Sequence, residues 1–410
     1  MARLGADGFQ WAVCDNPAYG PAMIGDAKRT IGVEEEYLLV DRESRDLVND
    51  PPASLMADCE AQLEGRVSPE LLRSQIEIGT HVCDNVQQAR EQLATLRRTI
   101  AEVADSHGLA PIAVSTHPFA RWQDQQPTDR QRYQDIAKEL ELVGRRALIC
   151  GMHVHVGVDD EDLRIELMNQ VRYFLPHLLV LSTSSPFWEG EDTGLMCYRL
   201  SVFHNLPRTG MPERFESYGE FDRMVSNLAS VGVLQDGTKL WWDVRPSVRF
   251  PTLELRIADM CTRLDDAITI AALYQSVLRM LWRLRKGNQR WRIYPHLLME
   301  ENRWRAQRYG TDGDLIDFGQ WTMESFPSLL DQMIDYIRED AEELGCLAEV
   351  EHAREITSRG TSAHTQRHVY GAALAAGADE TEALRAVVDW LIDETVRGLE
   401  PRGAAARQTG

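Results

Sequence analysis

Four short segments of this chain set apolar against ionisable residues in strict alternation, and that period constrains the fold more than any other feature. In Thr30 to Asp41, the series Ile31, Val33, Glu35, Tyr37 alternates with Gly32, Glu34, Glu36, Leu38. Successive side chains of a β-strand point to opposite faces, so Glu34 and Glu36 share one face and Glu35 takes the other. Ser74 to Cys83 sets Ile76 and Ile78 against Gln75 and Glu77. Ile149 to Val158 sets Met152, Val154 and Val156 against His153 and His155, and Pro251 to Asp259 sets Leu253, Leu255 and Ile257 against Glu254 and Arg256. If the four strands lie in one sheet, their apolar faces pack on helices and their polar faces line a cleft.

Carboxylates and imidazoles gathered in such a cleft must repel, keep protons, or find a cation. Glu34, Glu36, Glu77, His153, His155 and Glu254, with no thiolate among them, form a hard-to-borderline donor set suited to Mg²⁺ or Mn²⁺. Residues two apart on a strand are separated by about 6.6 Å, so Glu34 and Glu36 can reach different ions of a cluster spaced by about 4 Å. Such clusters clamp nucleoside triphosphates. Taken singly the motifs say less: Glu-x-Glu on a strand is the pattern of a solvated face, His-x-His also opens metallohydrolase sites, and Glu254-x-Arg256 suits a cross-strand ion pair. The same sorting in four separate strands raises the combination above its parts.

Helices surround these strands. Val86, Ala89, Leu93, Leu96, Ile100 and Val103 fall at steps of three and four, with Gly108 as a stop. Similar stripes run through Tyr133 to Val143, Ile268 to Trp282, Leu330 to Leu344 and Leu384 to Thr395, and Pro176 should split a helical stretch from Asp162 to Thr183. Residues 1–28 lack any period and read as an extension, 29–400 as one compact domain or two lobes about a cleft, and 401–410 as a flexible tail. The chain has 44 basic and 64 acidic residues, a formal net charge of −20, which disfavours nucleic acid and anionic lipid as partners. Seven scattered cysteines without a C-x-x-C pair suggest small buried residues in a reducing cytoplasm. No stretch is apolar enough to anchor the chain in a membrane.

The same segments carry a resemblance. Ile31-Gly-Val-Glu-Glu-Glu-Tyr-Leu-Leu-Val-Asp41, Gly151-Met-His-Val-His-Val-Gly157, Ser184-Ser-Pro-Phe-Trp188 with Asp192-Thr-Gly194 and Tyr198-Arg199 resemble the type 2 glutamate–cysteine ligase family of carboxylate–amine ligases. So do Trp241-Trp-Asp-Val-Arg-Pro246, Pro251-Thr-Leu-Glu-Leu-Arg-Ile-Ala-Asp259 and Glu301-Asn-Arg-Trp-Arg-Ala306 with Arg308-Tyr-Gly310. The resemblance implies an α+β fold like the glutamine synthetase catalytic domain, with a mainly antiparallel sheet whose polar face lines the active cleft. It implies ATP and Mg²⁺ as cofactors, with Glu34, Glu36, Glu77, His153 and Glu254 as metal ligands and Arg256 on the transferred phosphoryl group. Glu70 stands where related ligases can carry another acid, and His155, Arg199, Arg245 and Arg308 are further candidates for phosphate or substrate contact.

The expected reaction joins a carboxylate, with the γ-carboxylate of glutamate as first choice, to cysteine or another amino compound through an acyl phosphate. A divalent-metal hydrolase using His153 and His155, or a non-catalytic nucleotide-binding scaffold, are the competing classes. Between Arg279 and Arg308, nine basic residues face only Glu300 and Glu301, a block that would draw in ATP or a dicarboxylate unless it is paired elsewhere. Trp188, Trp241, Trp242, Trp291 and Trp304 are candidates to stack an adenine, or are core. The segment Arg359 to Arg367 is either near the substrate cleft or a plain interhelical loop. Apolar stripes on the later helices permit a homodimer.

Overall fold

The computed structural model describes residues 30–399; the extension at 1–28 and the tail at 401–410 lie outside the described residues. Its first strand, β1 (Ile31–Asp41), is too long for one partner and pairs with three: Met152–Gly157, Gln75–Gly79 and Leu109–Ile112. With Val67–Pro69 as β2, Gln75–Gly79 as β3, Leu109–Ile112 as β4, Met152–Gly157 as β5, Val244–Pro246 as β6 and Thr252–Leu255 as β7, the sheet runs β6-β7-β5-β1-β3-β2, with β4 also on β1. Every pairing in it is antiparallel. The four expected strands are therefore all present in one sheet, though three are shorter than their alternation suggested. Past Leu255, the N–H groups of Arg256 and Ile257 turn to the Asp243 carbonyl (2.8 and 3.0 Å) and leave the ladder.

The apolar sheet face and the helices share one continuous hydrophobic cluster. Helix Val86–Ser106 begins where the Asn85 side chain accepts from the Gln88 N–H (2.9 Å), and it buries the predicted stripe from Val86 to Val103. Helix Leu264–Lys286 is buried on nearly every side from Leu264 to Leu281, as befits a helix ringed by other helices. Pro176 does split its stretch: Glu161–Val171 ends, and Leu175–Ser182 starts with the proline in its first turn, where no backbone N–H is needed. Helix Phe326–Leu344 ends on Gly345 with φ of +70°, a conformation in which a Cβ is strained.

Glu35 shows what the alternation of β1 accomplishes. It faces the core, fully buried, and Arg97 of helix Val86–Ser106 grips it with two bonds, Nε to Oε2 at 2.9 Å and Nη2 to Oε1 at 2.6 Å. Arg97 also donates to the carbonyls of Thr262 (2.8 Å) and Cys261 (3.0 Å), and the Tyr37 hydroxyl donates to Glu35. A buried charge of this kind is tolerable only with partners for its remaining lone pairs and protons, and here they are supplied. The six described cysteines are buried and unbridged, as expected; Cys14 lies outside the described residues.

Candidate active site

Strand register assembles the site. Across the sheet, Ser68 of β2 stands opposite Glu77 of β3, which stands opposite Glu36 of β1; Glu34 of β1 faces His153 of β5; His155 of β5 faces Glu254 of β7, which faces Arg245 of β6. Opposite residues in a ladder share a face, so these five pairings draw one diagonal of ionisable groups across five strands and onto β2. They line a cleft of about 270 Å³ together with Glu70, Arg199 and Arg256. All but one of the candidate residues meet there.

The exception is Arg308. Its guanidinium donates to the Gly194 carbonyl and stacks on Tyr309 at 5.1 Å, and it is not among the residues lining the cleft. The basic block likewise does not face the cleft. Arg279 and Arg283 bind Asp340, Arg285 binds Glu166 (2.7 Å), and Arg303 makes two bonds to Asp243 (2.6 and 3.1 Å). Acids far away in sequence neutralise what looks unbalanced locally. The segment Arg359 to Arg367 also lies away from the cleft: Thr361 caps helix Ser362–Ala375, and Arg359 pairs with Asp266. Of the tryptophans considered, only Trp241 lines the cleft, with Arg208 stacked on its ring at 5.4 Å.

Within the cleft, His153 sits between two glutamates, Nδ1 3.2 Å from Glu34 Oε2 and Nε2 3.8 Å from Glu36 Oε1. His155 Nδ1 bonds the Thr252 hydroxyl (2.9 Å), and its buried Nε2 has no hydrogen-bond partner among the described residues while standing 3.5 Å from Glu34 Oε1. Glu36 accepts from the Gly151 N–H (2.7 Å) and Glu77 from the Ser68 hydroxyl (3.1 Å). Glu254 accepts two bonds from Arg245, at 2.8 and 3.2 Å, and a third from Arg256. Arg199 donates to the carbonyls of Arg256, Ile257 and Ala258 at 3.2 to 3.3 Å, so it braces the chain beside Arg256. It passes so close to Gly151 that a Cβ there would meet Arg199 Nη2 at 2.3 Å, which accounts for the glycine ahead of the His-x-His.

Charge divides the cleft in two. Burial would raise Glu34 and Glu254, but it is outweighed by His155 and His153 around Glu34 and by Arg245 and Arg256 around Glu254, so both carboxyls are held below their ordinary range. On the other side, burial and the nearby Glu70 push Glu36 up to about 8. Burial also raises Glu70, and burial together with Glu70, Glu34 and Glu36 about it pushes Glu77 well above a normal carboxyl. Burial, with the Arg256 charge, lowers His153 to about 4; burial disfavours the charged form of His155 too, but Glu34 beside it wins and raises it.

Three sets of ligand atoms lie within 4.8 Å of one another: Glu34, Glu77 and His153; Glu34, His155 and Glu254; Glu36, Glu70 and Glu77. Glu34 and Glu77 are each shared by two sets. This donor set, with a His155 Nε2 that makes no hydrogen bond among the described residues, fits a cluster of hard divalent cations. Sequence reasoning missed Arg130, Arg132 and Arg249, which line the same cleft from a helix start and a loop. Neither place has a period that would have given their direction.

The sequence profile described as Glutamate-cysteine ligase family 2 matches residues 30–389. A Rhodospirillum rubrum protein provisionally named glutamate–cysteine ligase 2 is 57% identical over 385 residues, 93% of this chain and 98% of its own length. A Paracoccus denitrificans protein of the same provisional name is 53% identical over 92% of this chain and 100% of its own length. Among solved structures, a Francisella tularensis glutamate–cysteine ligase in complex with AMP superposes with a TM-score of 0.65 at 13% identity, covering 91% of this chain and 90% of that one. A Pasteurella multocida bifunctional glutathione synthetase gives 0.64 at 14% identity, covering 88% and 52%. At such identities the two structures speak for the fold, while the profile and the close relatives speak for the lineage: this chain belongs to the type 2 glutamate–cysteine ligase family of ATP-dependent carboxylate–amine ligases.

Proposed function

We propose that the protein joins the γ-carboxylate of glutamate to an amino compound, cysteine being the first to test, through an acyl phosphate formed with ATP. The observation that carries this reading is the diagonal of Glu77, Glu36, Glu34, His153, His155 and Glu254 ending on Arg245, with Arg256 alongside. A carboxylate is a poor acyl donor because its leaving group would be oxide; phosphorylation by ATP supplies a better leaving group, phosphate, which the amine then displaces. Glu34, Glu36, Glu77, His153 and Glu254 would hold Mg²⁺ or Mn²⁺, which when bound neutralises charge on the phosphates.

The chain's own groups do the rest. Glu254 keeps Arg245 and Arg256 fixed and ionised, so their positive charge is in place before substrate arrives. Arg256 Nε is buried without a hydrogen-bond partner among the described residues, which leaves a donor for a phosphoryl oxygen. Ser68 and the Gly151 N–H orient Glu77 and Glu36. The six described cysteines are buried, and burial, with the Glu36 charge, pushes Cys150 well above a normal thiol, so none of the described cysteines is on hand as a thiolate for a covalent acyl-enzyme.

Two measurements test this. ATP binding should vanish in excess chelator, since the acids otherwise repel a triphosphate. Oxygen-18 in the glutamate γ-carboxylate should appear in released phosphate during amide formation; unlabelled phosphate beside verified product would exclude the acyl phosphate.

A further inference from the structure

A second cavity, of about 260 Å³, shares no lining residue with the ligase cleft. Tyr173 and His177 come to it from the region of helix Leu175–Ser182, and Trp291 from the segment after helix Leu264–Lys286. Asp317 reaches it from the end of strand Asp314–Asp317, and Tyr336 from helix Phe326–Leu344. Its walls are rings: Tyr173 lies 5.3 Å from Trp291 and 5.7 Å from Tyr294 between centroids, and Trp291 lies 5.4 Å from Tyr336.

The polar groups among those rings are unbalanced. Asp317 is 7% exposed, and its Oδ1 accepts from the N–H groups of Gly319 (2.7 Å) and Gln320 (3.2 Å). No Lys or Arg lines the cavity, and Asp317 has no ion-pair partner among the described residues. Arg292 does stack on Tyr294 at 5.1 Å but is not a lining residue. His177 is 3% exposed, and its Nδ1 has no hydrogen-bond partner among the described residues; nor does Trp291 Nε1. Burial lowers His177 to about 4, so at neutral pH it offers a lone pair and no charge. Leaving such groups unmatched costs about 1–3 kcal/mol each.

An anion would meet the Asp317 carboxylate and the negative faces of the rings, and a neutral apolar molecule would desolvate that carboxylate without compensation. A small cation meets the rings, the carboxylate and the imidazole: ring faces attract it, the carboxylate pairs with it, and a hydroxyl or N–H on it can donate to the imidazole. We infer that this cavity is a binding site for a small organic ammonium ion, distinct from the ligase cleft, built from the faces of Tyr173, Trp291 and Tyr336 and the carboxylate of Asp317.

The probe is choline, whose hydroxyl can donate to His177, compared with 3,3-dimethyl-1-butanol, its uncharged carbon isostere. Isothermal titration of the full chain should show one saturable choline site and at least roughly tenfold weaker binding of the isostere. Asp317→Asn keeps the oxygen that accepts from Gly319 and Gln320, so the turn survives while choline binding falls by about tenfold or more. Tyr336→Ala removes a half-exposed ring whose loss the core tolerates, and should weaken choline by roughly threefold or more. It keeps the inference testable if Asp317→Asn proves unstable. Equal affinity for the isostere, choline binding unchanged in a folded Asp317→Asn or Tyr336→Ala, or no saturable heat up to about 50 mM choline would each overturn it.

Discussion

Replacing Glu35 by Gln tests the division of labour along β1. Glu35 and Arg97 are both fully buried and joined by two bonds, so the substitution leaves the Arg97 charge in the core without its counter-ion. Breaking a buried pair by removing one partner costs about 3–5 kcal/mol. Unfolding entropy of roughly 2.1 cal/mol/K per residue over about 370 residues amounts to near 0.8 kcal/mol/K, so the melting temperature should drop by about 4–6 °C. The assay is a pair of measurements on wild type and Glu35→Gln: thermal unfolding by circular dichroism at one scan rate, and calorimetric titration of Mg²⁺ATP well below the transition. Stability should fall while nucleotide affinity stays within about threefold, because the Glu35 side chain points away from the cleft. A double variant, Glu35→Gln with Arg97→Met, should recover part of the loss, since it removes the orphaned charge. If Glu35→Gln left stability unchanged, the buried-pair account would fail; if it weakened Mg²⁺ATP as Glu36→Gln does, the faces of β1 would be assigned wrongly by one residue.

Three further outcomes are expected. Glu36→Gln and Glu254→Gln should each cut turnover by about a hundredfold or more with circular dichroism unchanged, and a variant retaining full turnover would remove that residue from the ligand set. Arg256→Lys keeps the charge but loses the guanidinium fork, so turnover should fall by about tenfold or more while the Kd for Mg²⁺ATP moves less than about threefold; an equal loss in both would make it a ground-state contact. His117 accepts the N–H groups of Phe119 (3.2 Å) and Ala120 (2.9 Å), and burial lowers its pKa to about 3. The unfolded chain therefore takes up a proton below about pH 6.5 that the folded one refuses, and stability should decline from there to about pH 3, by up to about 5 kcal/mol. His117→Gln should flatten that acid slope of denaturant stability by about one proton, and an unaltered slope would assign the acid loss elsewhere.

Much of the site was legible because the period of a strand is two and leaves little freedom. Glu34 and Glu36 had to share a face, Glu35 had to take the other, and the same rule sorted Glu77, His153, His155 and Glu254. Sequence alone also indicated the helical stripe from Val86 to Val103 and the break at Pro176, each a local consequence of side-chain spacing or of a missing N–H. Only the tertiary structure could decide which faces meet, because register is set between strands far apart in the chain: Glu34 opposite His153, His155 opposite Glu254. For the same reason the basic block between Arg279 and Arg308 was misleading. Coulomb interactions depend on distance in space, and Asp340, Glu166 and Asp243 reach those arginines from elsewhere in the chain. Nor could any spacing have gathered Tyr173, Trp291, Asp317 and Tyr336 around one cavity, since each comes from a different segment and only the packing of those segments brings them together.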